Sequence, residues 1–322
     1  MIYLGIDVGG TDVKIGLLNE NAKILALGKT PTGVGNPYQD IIRNIAEYSK
    51  TLLTQAGYTL DDLTAVGVGV PGVADNDSGV VVRCVNMEWW NIPLREELQK
   101  HIPRPVTIDN DANLAGLAES ICGVSMGTDS SVFITLGTGV GGGLILQGKP
   151  WSGQHGEGGE IGHIIMDIDG IPCTCGRKGC LERYCSATAL IRIAQEAVIQ
   201  HHESMLWSVC DNNPEKLNGK NIFACAMKGD ATALEVFDRY IHYLCLALSS
   251  IICMIDPQVI VIGGGLSKDG PFLLDAINKR IKGYLAFPEV PFADIKIATL
   301  GANAGFIGAA MLAKQYTEEP KA

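Results

Sequence analysis

Apolar and polar positions fall into a pattern punctuated by glycines, and the pattern occurs twice along the chain. The first copy runs Ile2-Tyr3-Leu4-Gly5-Ile6-Asp7, then Val8-Gly9-Gly10-Thr11, then Val13 through Leu18, and reads as strand, glycine turn, strand. The second begins at Val132-Phe133-Ile134-Thr135-Leu136, turns at Gly137-Thr138-Gly139 and continues through Gly143-Leu144-Ile145-Leu146. Each copy leads on to a further apolar run ending in glycines, Ala65 through Gly72 in the first and Val259 through Gly265 in the second. A period this long predicts a duplicated domain, because solenoid repeats are roughly 20 to 50 residues. Between the strands the periodicity becomes helical. One helix is predicted from about Tyr38 to Gln55, with Ile41, Ile42, Ile45, Tyr48, Leu52 and Leu53 on its apolar face and a stop near Gly57. A longer one starts near Asp230, carries Leu234, Phe237, Ile241, Leu244, Leu248 and Ile252, and ends before Asp256-Pro257.

This alternation predicts an α/β protein with two lobes and a cleft between them. The N-terminal lobe is expected over residues 1–108 and the C-terminal lobe over 109–303, with a final helix within 304–322 packing back on the first. The segment His201 to Asn221 is polar, contains Asn-Asn-Pro and Asn-Gly, and reads as a surface connection.

Composition narrows the function classes. The chain has 322 residues, 47% hydrophobic and 19% charged, and no uninterrupted apolar run near the ~18 residues a membrane span requires. Asp7 interrupts the first apolar stretch and no basic segment precedes it, so neither a signal peptide nor a membrane partner is expected. A cytoplasmic protein is the expectation. With 25 Lys+Arg against 35 Asp+Glu the net charge is −10, and no basic cluster follows a phosphate backbone, so no nucleic acid partner is expected. Most of the ten cysteines, such as Cys225, Cys245 and Cys253, stand singly in apolar stretches and read as reduced core residues. Cys173, Cys175 and Cys180 are crowded together and need another account.

Two segments match the dinucleotide pattern G-x-G-x-x-G, at Gly67 to Gly72 and Gly137 to Gly142. Neither is followed by a helix signal, so the dinucleotide reading fails its context. Gly28-Lys29-Thr30 resembles the end of a Walker A loop, but Lys23 stands where the first glycine belongs, and no protein-kinase signature is present. What remains is one strand–glycine–strand turn per lobe, each exposing backbone N–H groups at a tight bend suited to phosphate oxygens. Two ordinary hairpins are the plain alternative for either turn taken alone. As a pair they can grip a nucleotide triphosphate, with Asp7 at one edge available to Mg²⁺ directly or through water.

His163, Cys173, Cys175 and Cys180 form H-x9-C-x-C-x4-C, bent by Pro172, Gly176 and Gly179. Three thiolates and an imidazole match the closed tetrahedral set of a structural Zn²⁺ site, and no position remains for catalytic water. Zinc would clamp the loop 160–182, which is too glycine-rich to build an apolar core.

After the strand Val106-Thr107-Ile108 comes Asp109-Asn110-Asp111 and a helix start through Glu119. An acidic residue there is ordinarily a cap. Phosphoryl transfer to an alcohol also needs a carboxylate to take the hydroxyl proton, and Asp111 is the candidate if a sugar lies beside it.

Taken together, Asp7-Val8-Gly9-Gly10-Thr11 with Lys14, Asn110-Asp111-Ala112-Asn113, Gly137-Thr138-Gly139-Val140-Gly141, Gly159-Glu160-Ile161-Gly162-His163 and the run Cys173 to Glu182 resemble the ROK family, named for repressor, open reading frame and kinase. The resemblance covers nearly the whole chain in order. It implies an actin-like, hexokinase-type duplicated ATPase fold and ATP-dependent phosphorylation of a hexose, with ATP, Mg²⁺ and structural zinc as cofactors. Asp111 would be the base, and Asn86, Asn110, Glu160, His163 and Glu182 would meet sugar hydroxyls. ATP would lie on Gly9, Gly10, Thr11, Gly137 and Thr138, with its adenosine against Gly263, Gly264 and Gly265. His163 would ligate zinc through one ring nitrogen and the sugar through the other. Lys14 has no assigned role. Relatives of this kind are dimers or tetramers, so a homodimer or homotetramer is expected.

The family also holds repressors with an additional N-terminal helix-turn-helix, and a first strand at Ile2 argues for a kinase. The segment Cys173 through Thr188 is similar to that of bacterial glucokinases, which implies glucose phosphorylated at its 6-hydroxyl. Glu157-Gly158 and Ala302-Asn303 depart from the family pattern, and the first departure keeps mannose, allose, fructose, N-acetylmannosamine and N-acetylglucosamine open as substrates. A sugar-sensing relative without turnover is the reading from a different class.

Overall fold

The computed structural model describes residues 1–318. In the first half, β1 (Ile2–Val8), β2 (Asp12–Asn19) and β3 (Ile24–Pro31) form an antiparallel meander, followed by α1 (Tyr38–Gln55) and β4 (Leu63–Val70). A small antiparallel sheet of β5 (Val73–Asp75), β6 (Val80–Cys84) and β7 (Trp89–Ile92) comes next. After α2 (Leu94–His101) come β8 (Val106–Asn110) and α3 (Asp111–Cys122). The first sheet has the order β3-β2-β1-β4-β8, with β4 parallel to both of its neighbours.

The second half begins with β9 (Ser130–Leu136), β10 (Val140–Leu146) and the short β11 (Lys149–Pro150). A long loop leads to α4 (Glu182–Cys185), α5 (Ala187–Val198), α6 (Met205–Val209), α7 (Gly219–Met227) and α8 (Ala231–Ile255). The chain ends with β12 (Val259–Gly263), α9 (Gly270–Arg280), β13 (Asp294–Ile297) and α10 (Ala304–Glu318). The second sheet has the order β11-β10-β9-β12-β13. Substituting each strand by its counterpart turns one order into the other, so the duplication is one of topology as well as of sequence.

The described residues divide into two compact units, one of residues 1–133, 143–159 and 299–318, the other of 134–142 and 160–298. Residues 109–133 thus group with the first sheet, whereas the sequence reading divides the chain at Asp109. The physical reason is that β8 runs straight into α3, and α3 packs on α10 within the same unit.

A row of glycines explains how α10 is seated. Gly16, Gly5 and Gly67 are register partners across β2, β1 and β4. A Cβ at Gly5 or Gly67 would collide with the backbone carbonyls of Phe306 or Ala309, and one at Gly16 with the Phe306 ring. The helix therefore rests directly on strand backbone, and Tyr3, Leu18, Ala65, Phe306, Ala310 and Met311 close around it as a buried cluster. On the opposite face α1 buries Ile41, Ile42, Ile45 and Leu53 against the same sheet. Since backbone cannot give way as a side chain can, Gly67→Ala is expected to cost on the order of 3 kcal/mol in urea unfolding, and a loss under about 0.5 kcal/mol would show that α10 can slide.

α1 is capped by Ala56 and followed by Gly57, whose φ of +82° suits glycine. α8 begins behind Asp230, whose carboxylate accepts the Ala233 N–H (2.9 Å), and stops at Asp256 in left-handed conformation before Pro257. By length and composition alone α8 could cross a membrane, yet 50% of its most apolar window is buried within the fold. The stretch 201–221 departs from the expected surface connection. It carries α6 with Leu206 and Cys210 buried, because the Asp230 carboxylate also takes the Ser204 hydroxyl and the Met205 N–H, both at 2.8 Å.

Candidate active site

In the first unit, the expected catalytic carboxylate lies at the junction of β8 and α3. The cap there is Asn110: its Oδ1 accepts the Ala112 N–H (2.8 Å) and the Asn113 N–H (3.3 Å), and its Nδ2 donates to the Gly72 carbonyl at 2.9 Å. Asp111 is therefore the first helical residue, with its Oδ1 2.9 Å from the Ala112 nitrogen. A carboxylate in the first helical turn is favoured by the positive end of the helix dipole. Capping leaves Asn110 a single uncommitted N–H for any sugar hydroxyl. Asp109 points elsewhere. Its Oδ1 takes the Asn113 Nδ2 at 2.9 Å and the Asn110 N–H at 2.6 Å, and burial pushes its carboxyl above the usual range. It also lines a cavity of about 560 Å³ with Asp75, Ser152 and Tyr316, which contains none of the expected site residues. Asn86 sits exposed on the short turn Val85–Met87 between β6 and β7.

At the end of β1, Asp7 is the register partner of Lys14. Burial raises its carboxyl above the usual range, and Lys14 offsets only part of the rise. Lys14 Nζ also donates to the Ala302 carbonyl (2.9 Å), and Gly305 at the start of α10 approaches the Asp7 carboxyl so closely that a Cβ there would meet it. In the adjoining turn the Gly9 N–H closes on the Asp12 carbonyl, while the buried Thr32 hydroxyl braces the Gly9 carbonyl at 2.6 Å. Gly9 is committed to the turn itself, which leaves Gly10 and Thr11 as the exposed positions.

The second unit repeats this arrangement. The Gly137 N–H closes on the Gly139 carbonyl, and the start of α5 secures the turn, with the Ala187 N–H on the Gly137 carbonyl (2.7 Å) and the Thr188 hydroxyl on the Thr138 carbonyl (2.8 Å). Gly264, at φ +89°, passes against the Leu136 backbone, so the glycines after β12 meet the end of β9 just before this turn. Glu182 Oε2 accepts the Val140 N–H (3.2 Å), and a Cβ at Gly139 would meet its carboxylate. The structure thus joins Glu182 to the second glycine turn, a contact that spacing does not foretell. Gly263 is the buried end of β12, and Gly264 and Gly265 are exposed.

Glu160 opens the short turn Ile161–His163, and its carbonyl accepts the His163 N–H at 3.0 Å. His163, Cys173, Cys175 and Cys180 converge so that their ligand atoms all lie within 4.8 Å of one another. His163 Nδ1 is 3.8 Å from Cys173 Sγ, and Cys175 Sγ is 3.6 Å from Cys180 Sγ. With Zn–S near 2.3 Å, tetrahedral ligands stand roughly 3.8 Å apart, so the donor set fits zinc. Since Nδ1 faces the thiols, Nε2 is the ring nitrogen left for another partner. Backbone N–H bonding from Arg177 pulls the Cys175 thiol below the usual thiol range, whereas burial drives Cys180 above it. The turn is set by the Cys173 N–H on the Arg177 carbonyl (2.8 Å) and by Gly176 and Gly179 at positive φ.

Two duplicated sheets, each opening on a strand–glycine–strand turn, are those of the two-unit actin-like, hexokinase-type ATPase fold. The ROK family profile matches residues 3–316, and the chain belongs to that family. A glucokinase from Halalkalibacterium halodurans is 40% identical over 97% of this chain and 95% of its own length. An N-acetyl-D-glucosamine kinase from Vibrio cholerae is 31% identical over 97% of this chain and 99% of its own. The crystal structure of a ROK family glucokinase from Streptomyces griseus in complex with glucose and AMPPNP has a TM-score of 0.83 at 33% identity, covering 98% of this chain and 100% of that one.

Proposed function

We propose that this protein transfers the γ-phosphoryl group of ATP to the 6-hydroxyl of glucose. The observation that carries the reading is the division of labour at the start of α3, where Asn110 does the capping and Asp111 occupies the first helical position. In this reading the Asp111 carboxylate accepts the hydroxyl proton as the oxygen attacks phosphorus, and ADP leaves. Asn86, Asn110, Glu160, His163 and Glu182 are the residues assigned to sugar hydroxyls, as the family resemblance implies. Gly10, Thr11 and Thr138 offer donors to the phosphates, Gly9 and Gly137 shape the turns, and Gly263, Gly264 and Gly265 receive the adenosine. Asp7 would hold Mg²⁺, which neutralises phosphate charge when bound, a use suited to one carboxylate acting with phosphate oxygens.

Zinc would be held by His163 Nδ1 and the three thiolates, and His163 Nε2 would then be presented to the sugar. The reading includes two functional lobes, the first extended beyond the expected 1–108 to take in α3 with Asn110 and Asp111, and a cytoplasmic homodimer or homotetramer, as the family resemblance implies. A coupled ADP-release assay over glucose, N-acetylglucosamine, N-acetylmannosamine, mannose, allose and fructose tests it. Glucose is expected to give the highest kcat/KM. Preference for an N-acetylated hexose would move the substrate toward that of the Vibrio cholerae relative. Sugar binding with no ADP release from any hexose would establish the sensor instead.

A further inference from the structure

Glu119 is 0% exposed, and its hydrogen-bond partners among the described residues are backbone N–H groups and one hydroxyl. Its Oε1 accepts the N–H groups of Thr299 and Leu300, both at 2.8 Å, and its Oε2 accepts the Val124 N–H (2.8 Å) and the Thr299 hydroxyl (3.1 Å). Removing a carboxylate from water is expensive, and here the cost is offset by three N–H groups and a hydroxyl, donors that an apolar side chain would leave without this partner. Four directional bonds accomplish something else: they fix one short piece of chain in position.

That piece is where the chain re-enters the first unit, after Ala298. Four residues separate Leu300 from Gly305, among them Gly301 at φ +55° and Ala302, whose carbonyl takes the Lys14 ammonium. Gly305 then lies against the Asp7 carboxyl, and Gly308 against the Leu114 carbonyl of α3. Glu119 stands eight residues after Asp111 on that same helix, about 12 Å along its axis. One helix therefore carries the proposed base at its first position and the anchor for the segment over Asp7 near its other end.

We propose that Glu119 is a positioning residue for the nucleotide end of the site, acting through Thr299 and Leu300 on the start of α10 and hence on Asp7. The inference rests on the kinase reading for what Asp7 does. In Glu119→Gln the amide NH₂ faces N–H donors, and one bond becomes a repulsion. For this variant, compared below its melting temperature, the Kd for Mg·ADP by calorimetry and the KM for Mg·ATP are expected to rise about tenfold, while the glucose Kd without nucleotide changes less than about twofold. Thr299→Val removes the hydroxyl alone, and a shift of about two- to threefold in the same direction is expected. If Glu119→Gln does not fold, Thr299→Val decides. Unchanged Mg·ADP affinity in a folded variant overturns the proposal, as does equal weakening of glucose and Mg·ADP. A wild-type protein that binds Mg·ADP but turns over no hexose sinks the kinase reading alone, since the titration still measures the effect on nucleotide.

Discussion

Asp111→Asn is expected to lower kcat roughly a hundred- to ten-thousand-fold while leaving the glucose Kd nearly unchanged. The amide keeps the size and planarity of the side chain, and it can still accept the Ala112 N–H that Asp111 Oδ1 now meets at 2.9 Å. The Asn110 cap is untouched, so α3 keeps its start and the local fold is preserved. What disappears is the capacity to take a proton, which matters as the sugar oxygen attacks. Steady-state ADP release together with sugar binding in the absence of nucleotide separates these effects. Turnover within a few-fold of wild type would remove Asp111 from the role of base. A parallel loss of sugar affinity would instead make it a binding residue.

The second large effect concerns the metal. Cys180→Ser, or stripping with a chelator, is expected to abolish zinc in elemental analysis, lower the melting temperature and weaken glucose binding roughly ten- to a hundredfold. The loop from Glu160 to Glu182 buries few side chains, chiefly Ile161, Cys173, Cys180 and Leu181, and cannot hold itself by an apolar core. Loop order and the presentation of His163 then depend on the same ion. Glu182 extends the consequence, because it follows Cys180 and Leu181 directly and its carboxylate caps the Val140 N–H beside the second glycine turn. KM for ATP is therefore expected to rise along with the glucose Kd. Normal glucose affinity in protein confirmed to be free of metal would show that zinc does not orient the histidine.

Much of the fold is legible in the sequence because it is local. The strand–glycine–strand repeat, the helix from Tyr38 to Gln55 and the Cys3His spacing each follow from residues near one another in sequence; the helix has the expected bounds, and the strands differ from theirs at the ends, as where β10 starts at Val140 and not at Gly143. Asn110 and Asp111 both stand out as polar residues before a helix, but which of them caps α3 depends on backbone geometry that spacing leaves open. The contacts that hold the site from outside are not legible. Thr32 braces the first turn from the far end of β3, and Glu119 finds its partners 180 residues away at Thr299. A buried glutamate inside an alanine- and leucine-rich helix gives no sign of a partner so distant. The stretch 201–221 misleads for a related reason: its polar residues read as solvated, although Ser204 is turned inward by Asp230 at the start of α8.

The seat of α10 on the glycine row bears on how the protein is made. β1, β2 and β4 leave the ribosome early, but the helix that covers Gly5, Gly16 and Gly67 begins only at Ala304. At ~5–20 residues per second, the interval between the end of β4 and the arrival of that helix is roughly 10 to 50 s. Throughout it Tyr3, Leu18 and Ala65 face water on a nascent sheet that lacks its lid. The first unit to be synthesised is thus the last to close, and truncations that remove α10 should give insoluble chains rather than a free-standing N-terminal half.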